Sequence, residues 1–157
     1  MSTTVKADTS ILEYAVEIFN KSLGQLKGVV ENVLFSLTFE PLPVSMLEQS
    51  VVRGGNAFGL KPEDGPLVVL LLYTSWERSS DDEKVYEVNN KALEAINHEA
   101  EERKVAASYR YLNYACPPQD PIVSYAPESH RRLREVSAKY GRLGQPPKNV
   151  GGYIYGR

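Results

Sequence analysis

Three short segments of the chain carry side chains suited to binding and turning over a small organic molecule. Ser36, Thr38 and Glu40 recur at every second residue, as do Tyr73 and Ser75, and again Tyr109, Tyr111 and Asn113. Alternate side chains of an extended strand share a face, so each set belongs to one side of a sheet. Adjoining sets would line a polar pocket walled by aromatic rings. Tyrosine supplies apolar area with a directed hydroxyl, and asparagine supplies both a donor and an acceptor for a carbonyl. A carboxylate buried in such a pocket gains basicity, which makes Glu40 the candidate general base. The same residues would equally well cover an exposed or dimeric sheet face.

Other chemistries find less support. His98 and His130 are isolated, and Cys116 has no partner at metal-ligand spacing. No base adjoins Cys116 in sequence to raise its thiolate fraction, so it reads as a loop thiol. Neither a Gly-x-Ser-x-Gly elbow nor a Walker A phosphate loop is present, and Gly54, Gly55 and Gly59 match neither spacing. His130, Arg131, Arg132 and Arg134 could hold an anion, but a solvated helix face accounts for them.

The elements that must position these groups follow from periodicity. Ser10 and Glu13 have capping-box spacing ahead of apolar residues at helical intervals, which predicts a helix over 10–27 ended by Gly28. Strict alternation from Val33 to Glu40 predicts a strand with Val33, Phe35, Leu37 and Phe39 on its oily face, ended by Pro41 and Pro43. A short helix is expected over Val44 to Val52, and a turn or loop at Gly54, Gly55 and Asn56. The continuous apolar run from Leu67 to Trp76 predicts a central strand covered on both faces. Ser80 and Glu83 repeat the capping-box spacing before a long helix over 80–103, whose acidic start and basic end complement its dipole. Tyr109 to Ala115 is strand-like, residues 116–127 form a loop, and Pro127 opens a helix to Tyr140 with Leu133 and Val136 packing inward. Tyr153, Ile154 and Tyr155 form a candidate terminal strand in a Gly- and Pro-rich tail over 141–157.

Composition bounds what such a chain can be. Its 157 residues, 42% hydrophobic and 24% charged, suit one α+β domain over 1–140. We expect an antiparallel sheet of three to four strands with helices packed on one face, open to completion by dimerisation. A net charge of -2 argues against a dedicated nucleic-acid binder, and one cysteine forms no internal disulfide. No apolar run approaches the roughly 20 residues of a membrane span, and no apolar signal segment follows Met1. The expectation is a cytoplasmic protein that binds a small molecule, pairs with a second copy, and engages neither membrane nor nucleic acid.

Several segments together resemble a known family. Pro62-Glu63-Asp64-Gly65-Pro66 before the apolar strand, Tyr111-Leu112-Asn113-Tyr114-Ala115, Gln119-Asp120-Pro121 with Ser124-Tyr125, and Leu133 to Ser137 ending in Lys139-Tyr140 are similar to the C-terminal substrate-domain region of fungal berberine-bridge-enzyme-like FAD-linked oxidoreductases. The resemblance spans about residues 4–140. It implies an antiparallel sheet that roofs a flavin, with Tyr111, Asn113 and Tyr114 facing the substrate. Where the family has Lys-Tyr-Asp-Pro and then an aromatic residue leading back to its flavin domain, this chain has Lys139-Tyr140-Gly141-Arg142-Leu143-Gly144.

No flavin or other cofactor is therefore expected, and no metal. The reading is a cofactor-free cyclase or isomerase, pericyclic chemistry included, acting on a natural-product intermediate. Glu40, Tyr73, Tyr111 and Asn113 are its catalytic candidates, and Ser36, Thr38, Ser75, Tyr109 and Tyr114 its substrate-binding ones. The alternative is a non-catalytic accessory or binding subunit of a full-length FAD-linked oxidoreductase.

Overall fold

The computed structural model describes residues 1–116 and 119–140. The expected strand at Tyr153, Ile154 and Tyr155 lies outside the described residues. In chain order the elements are β1 (Ser2–Lys6), α1 (Thr9–Leu26), β2 (Leu34–Leu42), α2 (Val44–Val52), β3 (Leu67–Ser75), α3 (Asp82–Glu102), β4 (Ala106–Ala107) and α4 (Pro127–Tyr140), with 3₁₀ turns between several of them. The fold is α+β: four antiparallel strands in the order β2-β3-β1-β4, and four helices.

β1 has no counterpart among the expected strands. Its Ser-Thr-Thr-Val-Lys sequence is only weakly patterned, yet it lies between β3 and β4 and its first four residues are buried. The aromatic Tyr109 to Ala115 segment, expected to be strand-like, takes no place in the sheet. That segment is not a strand: it leaves the sheet after the two-residue β4 and makes a 3₁₀ turn over Leu112–Tyr114.

The helix ends follow local chemistry, though not always at the expected residues. Asp8, rather than Ser10, caps α1: its carboxylate accepts from Ser10 N–H at 3.0 Å, Ile11 N–H at 3.2 Å and Ser10 Oγ at 2.5 Å. These bonds hold the Asp8 carboxyl below its usual range, the Ser10 hydroxyl contributing most. Gly28 exits the helix at φ 80°, a left-handed conformation that suits glycine. Ser80 caps nothing either; it lies in a 3₁₀ turn over Ser79–Asp81 that leads into α3. α3 closes with Lys104 at φ 60°, where Lys104 N–H donates to Glu101 O at 2.9 Å and Val105 N–H to Ala100 O at 2.8 Å. That double closure satisfies carbonyls left free by the last turn.

The main core lies between the sheet and α1 and α3. Val5, Val68, Leu70 and Leu72 meet Ile11, Ala15, Ala92, Ile96 and Ala100, with Phe35 and Leu37 packed alongside and Phe35 stacked on Phe19 at 4.8 Å. Two hydroxyl–amide bonds pin α3 to this face: Thr3 Oγ1 to Asn97 Oδ1 at 2.5 Å and Thr74 Oγ1 to Asn89 Oδ1 at 2.9 Å. β2 runs past the expected stop and includes Pro41. An edge strand tolerates proline because one of its sides has no ladder to fill.

Candidate functional site

Residues directly opposite each other in an antiparallel pair project to the same side. The register pairs Ser36 with Tyr73, Thr38 with Leu71, Glu40 with Val69 and Leu34 with Ser75, while Ser2 and Thr4 stand opposite Leu71 and Val69 on the other flank. Since Leu70 and Leu72 face the helices, all of these lie on the second face. Ser36, Thr38, Glu40, Tyr73 and Ser75 thus share the far side of the sheet from α1 and α3.

That face is covered unevenly. Over Val69 it is closed by Tyr109, Ile122 and Tyr125, with Phe58, Leu60, Leu112 and Leu133 packed around them. Towards the ends of β2 and β3 it is open, with Tyr73 48% and Leu34 53% exposed. The expectation that β3 is covered on both faces therefore holds for Leu67 to Leu70 and fails at Tyr73. Of the two inward contacts expected of α4, Leu133 joins this cluster and Val136 is exposed.

The nine candidates separate into three groups. Glu40, Tyr111, Asn113 and Tyr114 form a linked set where the 3₁₀ turn meets β2. Tyr114 Oη donates to Glu40 Oε1 at 3.1 Å, Asn113 Nδ2 donates to Tyr111 Oη at 3.0 Å, and the two tyrosine rings meet edge to face at 4.8 Å. The bond to Glu40 raises the Tyr114 hydroxyl above the ordinary tyrosine range, because ionisation would cost the hydrogen bond and set two negative charges together. Glu40 is exposed, so the burial expected to make it a strong base is not there.

Ser36, Thr38, Tyr73 and Ser75 form the second group, on the open part of the face. Tyr73 stands opposite Ser36, four strand residues and so about 13 Å from Glu40. It is no hydrogen-bonding partner of Tyr111 or Glu40, and a ligand touching both groups would have to lie along β2. Tyr109 stands alone. It is 4% exposed and packs on Phe58 at 5.2 Å and Tyr125 at 6.1 Å, and with Phe58, Leu60, Leu67 and Ser124 it lines a separate cavity of about 500 Å³ that neither Glu40 nor Tyr73 reaches; burial pushes its hydroxyl up.

Other groups found in the structure were not singled out for chemistry. Asn56 organises its loop, donating to Ser50 Oγ and Leu60 O and accepting from Phe58 N–H and Leu60 N–H. Gln119, Asp120 and Ser124 brace the Tyr109–Tyr114 segment, and only the family resemblance marked them. Arg131 of the expected basic cluster is paired with Glu128 and Glu135 on its own helix, which supports the solvated-face reading. Among the described residues no three metal-ligating side chains cluster, and no helix is long and apolar enough to cross a membrane.

A flavin dinucleotide needs its pyrophosphate held by free backbone N–H groups, usually at a helix N-terminus. Here α1 begins at the Asp8 carboxylate, α3 at Asp81, Asp82 and Glu83, α2 after Pro43, and α4 at Pro127 and Glu128. The Gly54 and Gly55 N–H groups already donate to Val51 O and Ser50 O. An acidic first turn disfavours phosphate. The starts of α1, α3 and α4 therefore disfavour a pyrophosphate. What the second sheet face provides is an open wall of hydroxyls and rings.

The sheet is thus backed by helices on one side and presents such a wall on the other. The relatives of the chain are fungal enzymes. The chain is 34% identical over 141 residues to FAD-dependent monooxygenase tpcD of Cochliobolus heterostrophus, which covers 87% of this chain and 27% of that one. It is 34% identical over 155 residues to FAD-dependent monooxygenase FUP4 of Fusarium proliferatum, covering 95% and 30%. It is also 26% identical over 101 residues to the bifunctional solanapyrone synthase of Alternaria solani, covering 64% and 19%. The chain thus spans less than a third of the length of these curated relatives. No family model matches the sequence, and no solved structure does.

Proposed function

We propose that the chain forms the substrate-side wall of an active site in fungal natural-product biosynthesis, completed by a flavin-bearing domain that the described residues do not supply. The open half of the second sheet face carries this reading. Its exposed Tyr73 and Leu34 flank Ser36, and Thr38 leads from them along β2 to the Glu40–Tyr114 pair, so one face presents ring, aliphatic and hydroxyl groups together. The similarity to FAD-dependent monooxygenases and the berberine-bridge-enzyme-like segments support the same placement. In this role Tyr73 and Thr38 would bind the substrate body, while Tyr111, Asn113 and Tyr114 orient its polar end.

The test is hydrogen exchange of the chain alone and mixed with a full-length flavin monooxygenase of similar sequence. Protection confined to β2 and the end of β3 is the expected result. Protection over α1 and α3 instead, or none at saturating flavoprotein, would overturn the reading.

A second reading is favoured by the Glu40–Tyr114 contact, which sets a carboxylate against a phenol within proton-transfer distance. It is a cofactor-free cyclase or isomerase in which Tyr114 donates to a carbonyl and Glu40 takes the proton back. Turnover in flavin-free, oxygen-free solution, lost in Glu40→Gln and Tyr114→Phe, would establish it. Undiminished turnover in both variants would eliminate it.

A further inference from the structure

We propose that Gln119 is the positioning residue that sets Tyr114 against Glu40, by occupying a vacant ladder position on β1. The alternation of hydrogen bonds along β1 shows where that position is. Met1 and Leu72 exchange backbone bonds on the β3 side, whereas Lys6 N–H donates to Val105 O at 2.8 Å on the β4 side. Even-numbered residues of β1 therefore address β4. β4 pairs only with Thr4 and Val5, and the chain then leaves the sheet, so Ser2 is left with a free N–H and C=O on that side.

The Gln119 side chain fills the place. Its Oε1 accepts from Ser2 N–H at 3.0 Å and its Nε2 donates to Ser2 O at 2.7 Å. One primary amide thus makes both bonds that an opposing strand residue would make. The same Oε1 accepts from Cys116 N–H at 3.4 Å, which ties the clamp to the end of the segment bearing Tyr114.

The residues that follow carry the anchorage back. Asp120 Oδ1 accepts from Ile122 N–H at 3.2 Å and Val123 N–H at 3.4 Å, fixing the next 3₁₀ turn. Ser124 Oγ accepts from Arg110 N–H at 2.9 Å. The segment carrying Tyr111, Asn113 and Tyr114 packs on Val69 through Tyr111, Leu112 and Tyr114, and its hydrogen bonds anchor it at two points on the sheet: β1 through Gln119 and β2 through Glu40. These strands flank β3, so the two anchors lie about two strand spacings, or 10 Å, apart across it. Releasing the first anchor should free Tyr114 from the second.

This inference rests on the reading of the Glu40–Tyr114 pair as part of the site, but its test needs neither substrate nor flavoprotein. The reporter is ionisation of the Tyr114 hydroxyl, followed by NMR of tyrosine labelled at the ζ carbon and assigned with Tyr114→Phe. In the wild type it ionises above the ordinary tyrosine value because it donates to Glu40. Gln119→Ala is expected to bring it down to the value measured in Glu40→Ala, and the double variant to add nothing further. Gln119→Glu keeps the size and the acceptor but lacks the Nε2 donor, and should give the same reversion. An unchanged Tyr114 titration in these variants would overturn the proposal. So would loss of folding in both, which would make Gln119 a general pillar rather than a local clamp. A working clamp in a chain that protects nothing against flavoprotein would refute the wall and leave Gln119 standing; wall protection with an unmoved Tyr114 would do the reverse.

Discussion

The two faces of the sheet differ more than any two elements do. On the helix side, Val68, Leu70 and Leu72 are buried against α1 and α3, and the polar groups there have partners, Thr3 with Asn97 and Thr74 with Asn89. On the other side the neighbouring positions run from buried Val69 to exposed Tyr73, and the buried Ser2 Oγ and Thr4 Oγ1 have no hydrogen-bond partner among the described residues. One face is finished and the other is not. A face closed by its own chain provides stability, whereas a face left partly open and polar is available to a ligand or another domain.

Removing core volume from the finished face should have the largest effect. Leu70→Ala is expected to cost about 2–5 kcal/mol in chemical denaturation, since Leu70 is 1% exposed and its neighbours are strand and helix backbone that cannot collapse freely.

A sharper comparison comes from adjacent residues of β1. Thr3→Val loses the bond to Asn97 and strands its amide oxygen, for a loss of about 1–3 kcal/mol. Thr4→Val removes a hydroxyl without a partner and should raise stability by up to about 1 kcal/mol. Opposite signs at neighbouring positions would show that the asymmetry belongs to the faces and not to the strand. Equal losses would break the comparison.

A smaller effect is expected at the N-terminus of α1. Asp8→Ala should lower the melting temperature by about 2–4 °C. Because the folded carboxyl lies below its ordinary value of 3.8, the cap contributes fully above that pH and is lost as acid brings the pH down through the folded value. The difference between wild type and Asp8→Ala should therefore vanish on acidification. A gap that persists at pH 2 would point to a cause other than the charged cap.

The smallest change in stability belongs to the open face. Tyr73→Ala should alter it by no more than about 0.5 kcal/mol, because nearly half of the ring is already in solvent. On the wall reading the same substitution should weaken association with flavoprotein or substrate. A large loss of stability with unchanged binding would assign Tyr73 to the finished side of the comparison.

Much of this architecture was legible in the sequence because it is local. The alternation from Val33 to Glu40 placed β2 and its two faces, and the helical spacing of Val85, Val88, Ala92, Leu93, Ile96 and Ala100 identified the inward side of α3. The candidate site was legible only in part. Ser36, Thr38, Glu40, Tyr73 and Ser75 do share a face, since strand alternation requires it once the strands pair in register. Tyr109, Tyr111 and Asn113 do not continue that face as a strand. Tyr109 enters a core while Tyr114, with Tyr111 and Asn113 linked behind it, reaches Glu40 from a 3₁₀ turn, a contact between residues 74 apart in sequence.

The sequence alone therefore determined where α1 to α4, β2 and β3 form, which side of α1, α3 and β2 is apolar, and which side chains are available for chemistry. These follow from backbone sterics and residue periodicity within a few turns or strand residues. Tertiary structure alone decided that Ser2–Lys6 becomes an interior strand, that the second sheet face is covered at Val69 and open at Tyr73, and that Gln119 completes the ladder at Ser2 across 117 residues. No local pattern encodes such choices, because they are settled by which distant groups satisfy one another's hydrogen bonds and exclude water together.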